Sequence, residues 1–296
     1  MNLQYLRAFY VTVQANSISN AAKMLHLTQP GLSMQIQSLE KELQVSLLNR
    51  SNKGVELTEA GKVVFDYAST ILSLQDNIER DLKNLKAQKK QLLLGSCKAI
   101  GEYALPCSIY IYKIDNKDVD INLEISNTQE VMDKLLNRTI NIGIIQGNTH
   151  NPALKTQKIT SGRLLLVTSL PLIKDVITID ELYRLPLICR ENGSGTKQTI
   201  IDFLKKYHIA LDDLNIIYEL NSMEAIKSSV IAGKGIAFIP ELIIKRELRD
   251  GMLKKIEIED FEIISDYYIA YRSDHHLSLH ENEFIKFIKS SKRGFC

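Results

Sequence analysis

The chain has 296 residues, long enough for two domains with their own cores, which excludes a mini-protein held together by cross-links. Hydrophobic residues make up 45% and charged residues 24%, so wholesale disorder, collagen-like repetition and low-complexity character are excluded too. Charge is nearly balanced at 37 basic against 35 acidic side chains; residues 1–90 hold 11 Lys/Arg and 8 Asp/Glu, a tilt too small to imply a nucleic-acid partner alone.

Apolar runs such as residues 91–95 and 235–239 stop after a few positions, and the N-terminus lacks a basic segment followed by an apolar one. Neither a membrane span nor an export signal is expected. The four cysteines, Cys97, Cys107, Cys189 and Cys296, form no C-x-x-C pair and have no His at zinc spacing, so reduced thiols in a cytoplasm are the expectation.

Leu3, Leu6, Phe9, Tyr10 and Val13 recur at helical spacing, and Asn16-Ser17 interrupts them. Ser19 is expected to cap a short second helix whose alanines, Ala21 and Ala22, admit a close neighbour. After a break at His26-Leu27, Thr28 caps a third helix with Pro30 in its first turn and Leu32, Ile36, Leu39 and Leu43 on its buried side. Gln29, Ser33 and Gln37 leave the other face polar and uncharged, able to bond base edges from a major groove. Arg50 to Thr58 reads as a turn between two short strands, a wing whose Arg50 and Lys53 can reach phosphates or the minor groove. A trihelical unit that docks on protein fits the same spacing.

The run Ser19-Asn20-Ala21-Ala22-Lys23-Met24-Leu25-His26-Leu27-Thr28-Gln29-Pro30-Gly31-Leu32-Ser33, with Ile36, Leu39-Glu40, Leu43, Leu47, Arg50 and Leu57-Thr58-Glu59-Ala60-Gly61, resembles the DNA-binding domain of LysR-type transcriptional regulators. That resemblance implies a DNA-contacting set of Ser19, Thr28, Gln29, Pro30, Ser33, Met34, Gln37, Arg50 and Lys53. Met34 departs from the family, which usually has Arg or Lys there; a phosphate or base contact is lost, or a thymine methyl is met instead.

No Gly or Pro falls between Lys62 and Gly95, and Val64, Ile71, Ile78 and Leu85 repeat every seven residues with Tyr67 and Leu74 interleaved. Such a seam is buried either within the chain or against a second copy. The resemblance implies the latter, a linker helix that pairs subunits, with Gln75 and Asp81 limiting the pairing strength.

Beyond Lys89-Lys90 short apolar strands alternate with helices, which is α/β grammar. Four strand-to-helix junctions, at residues 96–99, 126–128, 190–196 and 221–222, place hydroxyls, amides or glycine N–H groups at helix N-termini, where a small anion can be held. Simple helix capping explains any one of them equally well. Lys98 or Lys197 can add a fixed positive charge. Cys97, near a helix N-terminus and Lys98, is a candidate thiolate and redox sensor, or a small buried side chain.

This half is similar to the effector-binding domain of LysR-type regulators, closest to the branch regulating sulfur assimilation. The whole chain thus resembles an α/β protein with an N-terminal winged helix-turn-helix (residues 1–61), a long linker or dimerisation helix (62–90) and a C-terminal, two-lobed, periplasmic-binding-protein-like domain (91–296). Lobe 1 is expected at 92–161 with 266–296, and lobe 2 at 162–265. Effector contacts implied are Ser96, Cys97, Lys98, Ala99, Asn127, Thr128, Gln146, Ser194, Gly195, Thr196 and Ser222. Cys97-Lys98-Ala99 stands where that branch has a Ser-Thr-Thr run, and Asn141 and Gln146 replace acidic residues, so the effector is expected to differ.

The expected function is a cytoplasmic regulator that binds promoter DNA as a dimer or tetramer, responds to a small anionic metabolite and contacts RNA polymerase, with no cofactor and no metal. An enzyme or a solute-capturing protein on the same lobes is the alternative. No nucleophile elbow, Walker loop, dinucleotide fingerprint or metal spacing supports catalysis, and solute capture has no use for the front domain.

Overall fold

The computed structural model describes residues 1–51, 54–87, 90–171, 174–259 and 261–295, with only the backbone at 50, 51, 54, 81 and 84–87. Two compact units result: Met1–Ala87 with Asn137–Thr139, and Gln88–Leu136 with Ile140–Cys296.

The first unit begins with α1 (Leu3–Ala15), α2 (Ile18–Met24) and α3 (Gln29–Leu43). Asn16 ends α1 in the left-handed region, a conformation Asn tolerates. Ser17, not the expected Ser19, caps α2, because its hydroxyl is the one that accepts from Asn20 N–H. Thr28 caps α3, accepting from Gly31 N–H at 3.2 Å, and Pro30 sits in the first turn as expected. Leu6, Phe9, Leu32, Ile36 and Leu39 are buried together, each contributing about 1.5–3 kcal/mol of apolar burial.

Strands β1 (Leu48–Ser51) and β2 (Gly54–Leu57) pair antiparallel as the wing. Glu40 on α3 fixes its root, accepting from Leu47 and Leu48 N–H at 2.7 and 3.2 Å. Asn16 ties its far strand to the α1–α2 turn by accepting from Val55 N–H at 3.1 Å. Lys53 lies outside the described residues, as does the side chain of Arg50.

Helix α4 (Glu59–Ala87) starts three residues before the expected Lys62, directly after Thr58, whose hydroxyl accepts from Gly61 N–H. Gly61 is required there, since a Cβ would stand 2.1 Å from the Leu47 carbonyl oxygen. The expected seam divides. Val64, Phe65, Ala68, Ile71 and Leu72 pack on the first unit's own core, with Phe65 stacked on Tyr10 at 4.9 Å between centroids. Tyr67, Ile78 and Leu82 remain 68%, 61% and 54% exposed, an apolar stripe left over on the same helix.

The second unit runs β3 (Lys90–Cys97), α5 (Lys98–Tyr103), α6 (Leu105–Asp115), β4 (Val119–Ser126), α7 (Thr128–Leu136), β5 (Ile142–Gln146), β6 (Leu154–Thr168), β7 (Val176–Ile177) and α8 (Ile179–Leu182). It continues through β8 (Leu187–Arg190), α9 (Gly195–Lys205), β9 (Ile216–Leu220), α10 (Met223–Ile231), β10 (Ala237–Pro240), α11 (Glu241–Arg249), β11 (Lys254–Ile258), β12 (Ile263–Arg272) and α12 (Leu279–Lys289). The main sheet has the order β4-β3-β5-β12-β6-β11-β7, with β10 also pairing β6. Strands β6 and β12 pair antiparallel from Leu154↔Arg272 to Leu164↔Ile263. Their outer ends serve one lobe with β3, β4 and β5; beyond Leu164, β6 joins β10 and β11 in the other. Parallel β8 and β9 attach beside β10 through the Leu187–Ile236 bridge. Strand β5 is buried along its whole length, as a parallel strand covered on both faces is, whereas β4 alternates and leaves Asp120, Asn122 and Glu124 exposed.

Cys97 and Cys189 are free and buried. Cys107 is disulfide-bonded, so the expectation of four reduced thiols does not hold at that position.

Candidate functional site

In the first unit the polar face of α3 is open to solvent. Thr28, Gln29, Pro30 and Gln37 are exposed, Met34 is 67% exposed, and Ser19 and Ser33 are half-buried. Glycine at 31 is tight against the Thr28 hydroxyl, which is committed to capping. Gln29 and Gln37 carry exposed amide groups on this helix.

The second unit brings four strand ends to one cleft. Gln146, at the end of β5, is buried, and both side-chain polar groups and the backbone N–H are engaged. Its side-chain carbonyl accepts from the Thr196 hydroxyl at 2.9 Å, its amide donates to Ser265 Oγ at 2.7 Å, and its backbone N–H donates to Thr128 Oγ1 at 3.3 Å. Gly195 lets α9 approach this knot: a Cβ would stand 2.5 Å from Thr128 Oγ1 and 2.6 Å from the Gln146 carbonyl oxygen. Gly193, at φ +83°, turns the chain just before it, and its carbonyl accepts from Gln129 N–H across the cleft at 3.0 Å. Beside this knot opens a cavity of about 360 Å³, lined by Thr128, Gln146, Ser194, Gly195, Gln198 and neighbouring residues. A second cavity of about 370 Å³ lies between β6, β11 and the start of β12, where Arg163 and Lys255 border apolar walls; no predicted residue reaches it.

The predicted contacts divide into two groups. Thr128, Gln146, Gly195 and Thr196 form the knot just described, and Lys98 spans the cleft. Its ammonium donates to the Asn221 carbonyl and lies 3.9 Å from Glu191. Asn127, Ser194 and Ser222 spend their side chains on capping, accepting from the N–H groups of Glu130, Lys197 and Ala225. Ser96 is turned inward and donates to the Cys97 carbonyl at 3.1 Å, and Ala99 is buried. Capping therefore accounts for three of the junction side chains.

Cys97 is not a thiolate. Burial pushes its thiol up to about 12, outweighing the opposing influence of backbone N–H groups and Arg190, and Lys98 extends away toward Asn221 and Glu191. Two hydroxyls near it went unnoticed in the sequence. Ser126 Oγ, on the β4 residue paired with Cys97, is buried without a hydrogen-bond partner among the described residues, and Tyr267 OH is buried facing Ser265. Arg190, at the end of β8, is 5% exposed and grips Glu191 through Nε and Nη2 at 2.7 and 2.9 Å. Its signal was legible: a guanidinium directly after the apolar run Leu187-Ile188-Cys189 falls at the carboxyl end of a buried strand.

Two family models match the chain, a LysR substrate binding domain over residues 86–293 and a bacterial regulatory helix-turn-helix protein of the lysR family over residues 3–62. The chain belongs to the LysR family. This LysR-family chain is 31% identical over 283 residues to a probable RuBisCO transcriptional regulator of Phaeodactylum tricornutum, covering 93% of the chain and 92% of the relative. That relative's name points to RuBisCO transcription and not to sulfur assimilation. Among solved structures, the full-length regulator CbnR complexed with its target DNA matches with a TM-score of 0.72 at 20% identity, covering 98% and 99% of the two chains. The regulatory domain of CcmR from Synechocystis PCC6803, complexed with 2-PG, matches with a TM-score of 0.61 at 21% identity over 68% of this chain and 96% of that one. The LysR-family chain is therefore a DNA-binding transcriptional regulator with an effector-binding domain, and it acts as a homo-oligomer. Among the described residues no helix is long and apolar enough to cross a membrane.

Proposed function

We propose that this regulator responds to a small anionic metabolite held between the two lobes of its second unit, and that Lys98, Thr128, Gln146, Gly195 and Thr196 carry the response. The observation behind this reading is the knot at Gln146, which ties β5, β12 and α9 through one side chain. A ligand that competes for any of its bonds changes how the lobes meet, and ligand binding regulates only through such a difference between arrangements. The CcmR complex with 2-PG supports the class, an acid with a phosphoryl group on a two-carbon frame. Buried Arg190 and half-buried Lys98 provide the positive charge such a ligand needs.

On the DNA side, Thr28, Gln29, Pro30 and Ser33 face the groove with Ser19, Met34 and Gln37 beside them, and Arg50 and Lys53 on the wing reach phosphates or the minor groove. CbnR bound to its target DNA supports a duplex as the partner. Residues 1–61, 62–90 and 91–296 act as reading head, coupler and sensor, with lobe 1 at 92–161 and 266–296 and lobe 2 at 162–265. Cytoplasmic location, contact with RNA polymerase and the absence of catalysis complete the reading; named relatives of the family are transcriptional regulators.

A thermal-shift titration with 2-phosphoglycolate, inorganic phosphate and sulfate, run beside operator binding by fluorescence anisotropy, tests both halves. A melting temperature that rises with one anion, together with operator binding that changes on its addition, is the expected result. No shift with any of the three removes the anionic class.

A further inference from the structure

Arg190 poses a question that the cleft itself answers. A guanidinium buried at a strand end must be paired, because an isolated buried charge is strongly unfavourable. Its fork is shaped for two coplanar oxygens, those of a carboxylate or a phosphoryl group. The chain fills that fork from the very next position, with both Glu191 oxygens on Nε and Nη2. The same carboxylate lies 3.9 Å from the Lys98 ammonium, which belongs to the opposite lobe and is anchored on the Asn221 carbonyl. Glu191 thus joins a cation of one lobe to a cation of the other, as an anion bound between the lobes would.

We propose that the Glu191 carboxylate is an internal counterpart of the effector anion: it occupies Arg190 and Lys98 in the ligand-free regulator, and the effector enters by displacing it. This rests on the cleft being the effector site. Arg190 is fixed in β8, whereas Glu191 opens the turn through Asn192 and Gly193, so the carboxylate can leave while the guanidinium stays. Burial pushes the Glu191 carboxyl up, but the Arg190 hydrogen bonds and charge, with Lys98 behind them, hold it below the ordinary carboxylate range. It is therefore a charged competitor throughout the neutral range. Being tethered, it competes at a high effective concentration, so only a ligand with more charge or more contacts displaces it. A dianion, able to answer Arg190 and Lys98 together, is favoured over a monocarboxylate.

Isothermal titration of the full-length chain with inorganic phosphate and with 2-phosphoglycolate, at constant ionic strength, tests this on wild type, Glu191→Gln and Glu191→Asp. Glu191→Gln keeps the shape and removes the charge; at least fivefold tighter anion binding is expected, with a lower melting temperature before ligand is added. Glu191→Asp, which keeps the charge but shortens the reach, is expected to move the same way by less and serves if the first variant fails to fold. Wild type that binds while both variants bind equally or more weakly overturns the proposal and leaves the anion-binding cleft standing. Binding by none of the three chains overturns both.

Discussion

Gln146 and Thr196 meet across the cleft through one hydrogen bond, the Thr196 hydroxyl donating to the Gln146 side-chain oxygen Oε1 at 2.9 Å, with both residues buried. Because Gln146 ends β5 in one lobe and Thr196 stands in the first turn of α9 in the other, this bond reports how the lobes face each other.

Replacing Thr196 by Val keeps the volume and removes the donor. The buried Gln146 oxygen is then unsatisfied at about 1–3 kcal/mol. Differential scanning calorimetry is expected to show a lower melting temperature, and effector titration a roughly tenfold weaker response, the equivalent of about 1.4 kcal/mol. Operator affinity without effector stays as in wild type.

Gly195→Ala tests the same approach from the backbone side. Its methyl group would meet Thr128 Oγ1 and the Gln146 carbonyl within 2.6 Å, so α9 must withdraw from β5. Overpacking of this kind costs about 1–3 kcal/mol. The expected readout is a lower melting temperature together with faster hydrogen exchange at residues 193–199.

Gln29→Ala removes an amide from the exposed face of α3. If its amide reads a base pair in bidentate fashion, operator binding weakens by about 1–3 kcal/mol while random duplex is held as before. Anisotropy on the two duplexes separates this from a positioning contact, for which both fall equally.

Ile78→Glu addresses the apolar stripe that α4 leaves over after packing on its own unit. At 61% exposure the side chain adds little to the fold of one copy, so unfolding of the single chain should be unchanged. Sedimentation equilibrium is expected to show a weaker oligomer.

Acid sensitivity should arise in part at Glu281. Burial pushes its carboxyl up, but the hydrogen bond from His275, those of Ser278 and the His275 charge together bring it down to about 2. A carboxylate held below its unfolded value stabilises the fold fully above about pH 4.5, and the contribution is lost as pH falls from there toward 2. Glu281→Gln leaves His275 without its charged partner; the mid-acid slope of stability, followed by urea unfolding across pH 3–6, should flatten.

Much of this molecule was legible as pattern. Thr28 with Pro30, the alanines of α2 and the alternation of strand and helix after residue 90 are local signals, set by caps and hydrophobic spacing, and each element stands where those signals place it. Errors fell where two readings share one spacing. Ser17 and Ser19 are both good caps, and only the backbone turn at Asn16 decides between them. Val64 and Tyr67 share a heptad pattern, yet the first unit's core takes in one and leaves the other exposed. In the cleft, hydroxyls at strand ends were visible, but whether a hydroxyl caps its own helix or crosses to another lobe depends on tertiary distance. For that reason Ser194 and Thr196, two positions apart, have different roles. Ser265 and Tyr267 gave no local sign at all, since their importance comes from β12 pairing beside β5 far along the chain.

The pairing of Leu164 with Ile263 has a practical consequence. The chain leaves the first lobe along β6 and returns to it along the adjacent β12, so the intervening 98 residues form an insert whose two ends are neighbours. Such an insert can be exchanged between relatives as one cassette with both seams intact. A chimera built at those seams would import half of another regulator's chemical preference while keeping its own reading head, an engineering route offered by the way the strands are threaded.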